Sequence, residues 1–465
     1  MTKTVAIIGG GFSGTLVALH LLSESSSTLR VVLVERSGAV GPGLAYRTDR
    51  PEHLLNVPAG NMSALPDRPD DFVDFLRSRD PGADRGRFAS RRAYGEYLSG
   101  LLQRCAPEES NRRFTAMTGD AHSIRREEDG RARIGLADGT MLVADAVVLA
   151  MGHGSIRMLE CMGRPKSGEG YIHDPWQPGA LEAGARASRV LVVGSGLTAL
   201  DVMLTLSAIN DGASIESWSR HGLRPLAHRN PAALPRATAI SERLMSAPAS
   251  VRAYMRLLRD AVREEQAGGA DWRDVVAGMR TITPALWRRL PATEKARFLR
   301  HVQPYWDVHR HRCAPEQMAA LEDLEGDGRV VFRAARILRI VRDSGEGTPW
   351  NVRYRLRGSV EARTSEFDLV VNCTGPQTDL LRIDDPLLGH LAQAGRLAVD
   401  FHGLGLQVDA RYRPVGADGT VMPNWFYAGP SLRAMDWEAI AVPELRHHVV
   451  HVARQVIEHL RVGRS

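Results

Sequence analysis

Two glycine-rich turns in the sequence have the spacing of phosphate-binding loops. The first, Gly9-x-Gly11-x-x-Gly14, lies between a short apolar run and an apolar, helix-like segment. In a strand–turn–helix unit the glycines let the backbone approach a pyrophosphate, and the helix N-terminus offers free N–H groups. Glu35 ends the next apolar run, where a carboxylate can accept hydrogen bonds from an adenosine ribose. The first turn therefore predicts a dinucleotide site, assigned to Gly9, Gly11, Phe12, Ser13, Gly14, Glu35 and Arg36.

The second turn, Gly194-x-Gly196-x-x-Ala199, differs from the first at the ribose position. The count that reaches Glu35 in the first unit reaches Arg220 here, next to Ser219. A carboxylate would repel a 2′-phosphate, whereas an arginine beside a hydroxyl can bind it. An ordinary surface arginine at 220 is the alternative, because arginine is abundant in this chain. We predict FAD at the first turn and NADPH at the second, held by Gly194, Gly196, Thr198, Ser219 and Arg220.

The composition excludes several classes of protein. The 465 residues are 43% hydrophobic and 25% charged, which is typical of a soluble globular protein of about three domains. The formal net charge is +6, but the arginines are scattered among acids, so no nucleic-acid partner is expected. The four cysteines form no C-x-x-C pair, so we expect free thiols and no metal site. No apolar run is long enough to span a membrane, and we expect a cytoplasmic protein.

One architecture occurs twice along the chain. Alternating stretches at 121–142 and 330–357 each lead into an apolar run that ends near a glycine, Gly152 or Gly375. The predicted fold class is therefore α/β, with two nested Rossmann-like dinucleotide-binding domains and a helical insertion. The predicted domains are 1–180 with 366–465 for FAD, 181–224 with 323–365 for NADPH, and 225–322 for the insertion.

The insertion differs from the flanking chain in charge. Between Arg220 and Arg312 there are 18 basic and 8 acidic residues. Such an excess predicts that the insertion caps an active site. A solvent-exposed helical region without a role at the active site would have the same composition. The sequence leaves both interpretations of the insertion open.

Several short stretches carry a resemblance to a known group of flavoproteins. They are Gly41-Pro42-Gly43-Leu44-Ala45-Tyr46, His53-Leu54-Leu55-Asn56-Val57-Pro58-Ala59, Met62-Ser63-Ala64, Trp306-Asp307-Val308-His309-Arg310-His311-Arg312, Cys373-Thr374-Gly375-Pro376, Tyr427-Ala428-Gly429-Pro430, Trp437-Glu438 and Val442-Pro443-Glu444-Leu445-Arg446. With the two turns, they resemble class B flavin monooxygenases, including amino-acid N-hydroxylases, and a related bacterial FAD/NAD(P)-binding family.

The resemblance implies an FAD-dependent, NADPH-using monooxygenase that acts on a small molecule and O2 through a C4a-hydroperoxyflavin. Relatives in this bacterial family hydroxylate the amine of aspartate, so an acidic amino-acid substrate is implied. The resemblance also implies that Asn56, our catalytic candidate, lies near the flavin and the nicotinamide, with Met62 beside it. A turn-capping role for Asn56 is the alternative.

Further site residues follow from strand ends and from the same resemblance. Gly152 follows an apolar strand and is expected to approach a cofactor with its backbone. The resemblance implies that the turns at Gly375 and Gly429 close over FAD. It also implies that His309 and Arg310 line the substrate pocket. A metal site at His309 and its neighbours lacks the other ligands that such a site needs.

Two other functions fit the same motifs. An NADPH-dependent flavin oxidase or dehydrogenase would share every motif and lack only the insertion of oxygen. A non-catalytic nucleotide-binding redox sensor would bind both dinucleotides and use the basic insertion to hold a partner. The segment before the second turn also departs from the class B fingerprint, because no Phe-x-Gly triplet precedes His173. The sequence leaves the reaction and the oligomeric state open.

Overall fold

The computed structural model describes residues 2–24, 28–105, 113–162, 170–229, 238–343 and 347–462. It contains two large sheets, each built around a strand that leads into one of the glycine turns. A three-stranded sheet and a run of helices pack around them. This is the α/β fold with two nested dinucleotide-binding units that the sequence predicted.

The strands and helices are numbered in chain order. The strands are β1 (Lys3–Ile8), β2 (Leu29–Glu35), β3 (Phe114–Thr118), β4 (Ala121–Arg126), β5 (Ala132–Leu136), β6 (Met141–Ala144), β7 (Ala146–Leu149), β8 (Tyr171–Ile172), β9 (Arg189–Val193), β10 (Ser214–Ser219), β11 (Val330–Arg342), β12 (Trp350–Leu356), β13 (Ala362–Phe367), β14 (Leu369–Asn372) and β15 (Trp425–Tyr427). The helices are α1 (Phe12–Glu24), α2 (Asp71–Arg77), α3 (Arg91–Ser99), α4 (Leu101–Cys105), α5 (Leu197–Ile209), α6 (Ile240–Ser246), α7 (Val251–Ala267), α8 (Trp272–Gly278), α9 (Thr283–Arg289), α10 (Ala292–His301), α11 (Gln303–Arg310), α12 (Pro315–Gly326), α13 (Pro386–Gln393) and α14 (Val442–Val462).

The first sheet has five parallel strands in the order β15-β7-β1-β2-β3. The central strands are mostly apolar because both faces of the sheet are covered, as is usual for parallel sheets. Helices α1 and α14 pack on one face, and α13 with the antiparallel sheet β4–β6 packs on the other. We call this sheet and the elements that cover it the first unit.

The second sheet has seven strands in the order β13-β12-β11-β10-β9-β14-β8. Strand β9 lies between β10 and β14, just as β1 lies between β2 and β7, so the two units repeat one arrangement. The antiparallel strands β12 and β13 extend the sheet at one edge. Helices α5 and α12 pack against it, and we call this assembly the second unit.

The strand pairing moves two of the predicted domain boundaries. Strand β14 pairs with β9, and β8 pairs with β14, so both belong to the second sheet. The predicted division at 180 and 366 assigned both strands to the FAD-binding domain and is wrong for them. The reason is that backbone hydrogen bonds in a parallel sheet join strands that are remote along the chain, so proximity in sequence does not identify the partner.

Helices α6–α11 form a helical segment over residues 240–310, in the region where the sequence predicted a helical insertion. Its own apolar clusters are small, and one of them is completed by Trp437 from the first unit. The Trp287 indole N–H also donates to the Ala434 carbonyl oxygen at 3.0 Å. The helical segment is therefore packed against the C-terminal part of the first unit.

Candidate active site

Both glycine turns show the close backbone approach that their spacing predicts. Gly9 (φ +105°) follows β1, and Gly194 (φ +120°) follows β9. A Cβ atom on either residue would lie 2.4 Å from a carbonyl oxygen, that of Ala150 or that of Cys373. Only glycine accommodates both the backbone angle and the contact. Each turn is thus packed against the end of a neighbouring strand, at the carboxyl edge of its sheet.

The middle glycine of each turn has more room around it than the first glycine. A Cβ atom on Gly196 would meet nothing within 4 Å, and one on Gly11 would meet only the backbone of Gly43, with 3.4 Å as the nearest approach. Both gaps lie at the N-terminus of a helix, where N–H groups and the helix dipole favour phosphate. The residues present therefore fit the pyrophosphates of two dinucleotides.

The ribose positions of the two units differ as the sequence indicates. The Glu35 carboxylate is buried and accepts hydrogen bonds from the amides of Gly10 (2.7 Å) and Ser37 (2.8 Å). Arg36 pairs with Asp385 at 3.0 Å. In the second unit Ser219 accepts a hydrogen bond from the Gly222 amide, and Arg220 is exposed. Nucleotide binding stays a prediction for all of these positions and for their neighbours Phe12, Ser13, Gly14 and Thr198.

The other predicted glycines lie at two different sheet edges. Gly152 and Gly429 follow β7 and β15 in the first unit, and a Cβ atom on Gly152 would meet nothing within 4 Å. Gly375 follows β14 and therefore lies at the edge of the second sheet. Contact with FAD stays a prediction for these three residues.

A cavity of about 360 Å³ lies where the two units and the helical segment meet. Asn56 and Met62 line it from the first unit, and Leu197, the first residue of α5, lines it from the second. Arg273 and Arg280 line it from the helical segment and the turn after α8. The cavity therefore extends from the predicted catalytic residue to the first residue of α5, which directly follows the second glycine turn.

Asn56 is held by its backbone. Its carbonyl oxygen accepts a hydrogen bond from the His228 imidazole Nε2 at 3.0 Å. Burial, together with the nearby Arg312, lowers the pKa of His228 to about 4, so this ring is neutral at neutral pH. Among the described residues no recorded hydrogen bond engages the Asn56 side-chain amide. The amide therefore has its donors and acceptor free in the cavity wall, and its catalytic role stays a prediction.

The cavity is lined by arginines, and most of them have a carboxylate partner. Each ion pair leaves little net charge, because the carboxylate offsets the guanidinium. The paired residues are Arg91 with Asp201, Arg229 with Asp274, Arg273 with Asp271, Arg280 with Glu444 and Arg310 with Glu438.

Arg312 is the exception in this lining. It is 9% exposed, and none of the described residues places a carboxylate oxygen within 4 Å of it. Its Nε and Nη1 atoms are buried and lack a hydrogen-bond partner in the described part of the chain. Burial and the neighbouring Arg273 and Arg310 lower the pKa of Arg312 to about 10, so it stays cationic at neutral pH. A surplus positive charge with free N–H donors has the chemistry to bind an anion.

The two residues predicted to line the substrate pocket have different positions. Arg310, at the end of α11, lines the cavity and pairs with Glu438 at 2.7 Å. His309 is exposed, donates to the Tyr305 carbonyl oxygen at 2.7 Å and packs edge-on against Trp272. The structure therefore brings Arg310 to the cavity and leaves His309 outside it.

Sequence reasoning did not single out several lining residues. Arg312 closes one of the stretches that carry the family resemblance, and the basic excess of the insertion indicated the cations as a group. No local pattern identifies His228, because its role depends on contact with Asn56, which is remote in sequence. The same holds for Arg280, whose partner Glu444 lies on α14.

The fold is shared with solved structures over almost the whole chain. The L-lysine 6-monooxygenase from Pseudomonas syringae is 18% identical, with a TM-score of 0.67, covering 99% of this chain and 100% of that one. The two chains therefore share one fold. A second structure with the same fold is the ornithine N-hydroxylase of Kutzneria sp. 744 with reduced FAD, NADP+ and L-ornithine (17% identity, TM-score 0.63, 99% and 100% coverage).

A third solved structure shares this fold, and a family model matches part of the chain. The cadaverine monooxygenase of Erwinia amylovora, solved with FAD, is 14% identical, with a TM-score of 0.65 and coverage of 98% and 94%. Residues 6–154 match the FAD-NAD(P)-binding family. No curated protein is similar enough to count as a match. No helix in the described ranges has both the length and the apolar character needed to cross a membrane.

Proposed function

We propose that the protein is an FAD- and NADPH-dependent monooxygenase that hydroxylates the amine nitrogen of a small acidic amino acid. The observation that carries this proposal is Arg312, a buried cation without a carboxylate partner in the cavity beside Asn56. The fold shared with lysine, ornithine and cadaverine monooxygenases supports the reaction type. The cationic cavity supports an acidic substrate.

The two dinucleotides would be held by the two glycine turns. We assign FAD to the first unit, through the gap at Gly11 and the Glu35 carboxylate, and NADPH to the second unit, through the gap at Gly196 and Arg220. When bound, they supply two electrons and activate O2, so that one oxygen atom enters the amine and the other leaves as water. The residues of this chain then have to bind, orient and shield the substrate.

Substrate recognition would fall to Arg312. A carboxylate oxygen of the substrate would accept hydrogen bonds from its free Nε and Nη1 and would neutralise the surplus charge. The long amines named for the structural relatives would instead bring an extra ammonium group toward the cationic Arg312, with which no carboxylate within the described ranges forms an ion pair. Coulomb repulsion would therefore select against lysine, ornithine and cadaverine and in favour of aspartate or a similar acid.

Orientation and shielding would come from the other walls. The Asn56 amide, fixed through its backbone by His228, would hydrogen-bond the reacting edge of the flavin or the nicotinamide. Apolar side chains, including Leu55, Val57 and Val276, line the same cavity and would keep water away from the reacting atoms. The helical segment supplies Arg273 and Arg310, which is the basis for assigning it the role of a substrate cap.

The test is product analysis with the FAD-loaded enzyme. Aspartate, glutamate, ornithine, lysine and cadaverine would each be incubated with NADPH and O2. NADPH consumption, hydrogen peroxide and the N-hydroxylated product, identified by mass, would be measured together. We expect coupled hydroxylation with an acidic amino acid alone. NADPH consumption that yields only peroxide with every amine would support an oxidase, and coupled hydroxylation of a diamine would overturn the acidic substrate.

A further inference from the structure

A buried polar network joins the two units directly behind the cavity. Asp201, on α5, is 1% exposed and accepts a hydrogen bond from the Arg91 guanidinium of α3 at 2.5 Å. Its second carboxylate oxygen accepts from the Gln317 amide of α12 at 2.9 Å. The same Gln317 amide donates to the Glu52 carbonyl oxygen at 3.1 Å. Residues of the first unit and of the second unit therefore share one carboxylate.

A second chain of hydrogen bonds runs beside this pair. The Thr205 hydroxyl of α5 donates to the Glu52 carboxylate at 3.0 Å and lies 2.9 Å from Nε2 of His53. Nδ1 of His53 lies 2.8 Å from the Thr48 hydroxyl. A neutral ring that donates from Nε2 and accepts at Nδ1 satisfies every group in this chain. Glu52 and His53 belong to the first unit, so these bonds also cross to α5.

The hydrogen bonds of this network are made by one face of α5, the face that also carries Leu197 of the cavity lining. Leu197, Asp201 and Thr205 recur every four residues and so lie on one side of the helix. Leu197 lines the cavity, and α5 begins directly after the second glycine turn. Asp201 therefore lies about one helical turn from Leu197, on the same face of α5.

A buried ion pair of this kind is a poor source of stability, because removing both charges from water costs about as much as their attraction returns. Such pairs can instead specify one arrangement among several, since only one register satisfies all the buried groups. Here the satisfied arrangement fixes two dinucleotide-binding units relative to each other.

We infer that Asp201, through Arg91 and Gln317, is a positioning residue that holds the second glycine turn in register with the first unit. The inference rests on the proposed function, because the register matters if a dinucleotide at the second turn must meet a flavin near Asn56. A misplacement of about 1 Å can slow such a transfer about 100-fold without weakening the binding of either partner.

The kinetic test compares two half-reactions of the FAD-loaded enzyme. In Asp201→Asn we expect the limiting rate of flavin reduction at saturating NADPH to fall at least about 10-fold. The dissociation constant for NADPH and the rate of reoxidation by O2 after dithionite reduction should stay within about threefold of wild type. Thr205→Val should show a smaller effect in the same direction. Glu294→Gln, a buried carboxylate within the helical segment, is the matched control and should change none of the three.

A structural measurement keeps the inference testable apart from activity. With Cys105 and Cys161 replaced by serine, spin labels would be placed at the exposed positions Arg125 and Arg353, one in each unit. Wild type should give one narrow distance distribution, and Asp201→Asn a broader or shifted one. An unchanged distribution, or weaker NADPH binding with an unchanged limiting rate, would overturn the positioning role. If wild-type flavin is not reduced by NADPH, the proposed function fails while the distances still test the register.

Discussion

A buried arginine is costly unless a carboxylate or another acceptor offsets its charge. In the cavity wall, Arg91, Arg229, Arg273, Arg280 and Arg310 each have such a partner within the protein. Arg312 lies among them with two buried N–H groups unused. The Trp272 ring, whose centroid lies 5.6 Å from the guanidinium carbon, offsets part of this cost. In the proposed function, a substrate carboxylate would offset the rest.

Replacing Arg312 should therefore affect the recognition of the acid. In Arg312→Gln, we expect KM for the acidic amino acid to rise about 10- to 100-fold, since a charge-assisted hydrogen bond contributes about 1.5–3 kcal/mol. Arg300→Gln, at an exposed site in α10, is the matched control and should leave KM unchanged. Steady-state hydroxylation assays check both. Equal KM values in Arg312→Gln and wild type would show that the carboxylate binds elsewhere.

His228 gives the protein a measurable sensitivity to acid. Its pKa is about 4 in the folded protein and near 6.5 in the unfolded chain, so between these values the unfolded chain binds the extra proton. Stability through this group is therefore present above pH 6.5 and is lost as the pH falls toward 4. From pH 6.5 to 5 the loss should reach at most about 2 kcal/mol.

The variant His228→Gln keeps a donor for the Asn56 carbonyl oxygen and removes the titration. Urea unfolding at pH 6.5 and 5 should show a smaller loss of stability in this variant than in wild type. His153 and His311, whose pKa values burial also lowers, contribute equally to both proteins and cancel in the comparison. The same loss in both proteins would contradict a neutral, buried His228.

The single residues of the site could be predicted only where one residue type has one local role. Gly9 and Gly194 were predictable because a turn of this shape requires glycine. The charge state of the cavity was not, because it depends on pairs such as Arg280 with Glu444, which meet only after folding. The sequence indicated an excess of cations, and the fold decides that Arg312 is the one without a partner.

At the scale of elements, each glycine turn separates a folding requirement from a binding requirement. Gly194 has φ +120° and no room for a Cβ atom, whereas Gly196 has φ −86° and nothing within 4 Å. The first position serves the packing of β9 against β14. The second leaves space for a ligand at the start of α5.

The two alanine substitutions should therefore affect different quantities, one the free energy of unfolding and the other the binding of NADPH. Gly194→Ala should lower the free energy of unfolding by more than about 2 kcal/mol, through backbone strain and a clash with the Cys373 carbonyl. Gly196→Ala should change it by less than about 0.5 kcal/mol and raise the dissociation constant for NADPH at least about 10-fold. Urea unfolding and fluorescence titration measure the two quantities. A stable Gly194→Ala that binds normally would refute this division of roles.

The end of β10 should set the choice between NADPH and NADH. Arg220 is exposed there, where β2 of the first unit ends in Glu35. Arg220→Ala should reduce the ratio of kcat/KM for NADPH to that for NADH about 10- to 100-fold, because one charged hydrogen bond to phosphate is lost. Arg353→Ala, on the exposed side of β12, is the control. An unchanged ratio would make Arg220 an ordinary surface residue.

Elements were more predictable than their partners. The alternating stretch at 121–142 predicted the meander that forms β4–β6, and the apolar runs predicted β1, β7 and β9. The assignment of β14 to the first unit failed, because its apolar sequence would suit the centre of either parallel sheet. Only the backbone hydrogen bonds to β9 distinguish the two.

At the scale of the whole molecule, the first unit, the second unit and the helical segment all line the cavity. The helical segment contributes cations to it and is itself held together by small apolar clusters. An anion bound at Arg312 would reduce the repulsion among Arg273, Arg310 and Arg312. Ligand binding should therefore stabilise the helical segment more than the sheets.

Hydrogen exchange can measure this difference. With FAD bound, adding the acidic amino acid should slow amide exchange in residues 240–310 several-fold, and exchange in β11–β13 should not change. A neutral amino acid of similar size, such as alanine, is the control ligand and should have little effect. Equal slowing across the whole chain would argue against a capping role for the helical segment.

The strand order has a consequence for synthesis of the chain on the ribosome. Strand β15 pairs with β7, and α14 packs on α1, although the entire second unit lies between them in sequence. At a synthesis rate of about 5–20 residues per second, β15 leaves the ribosome only after the second unit, so β7 has no partner on that side until then. During that interval the nascent first sheet has an open apolar edge, which is the surface that chaperones protect from aggregation.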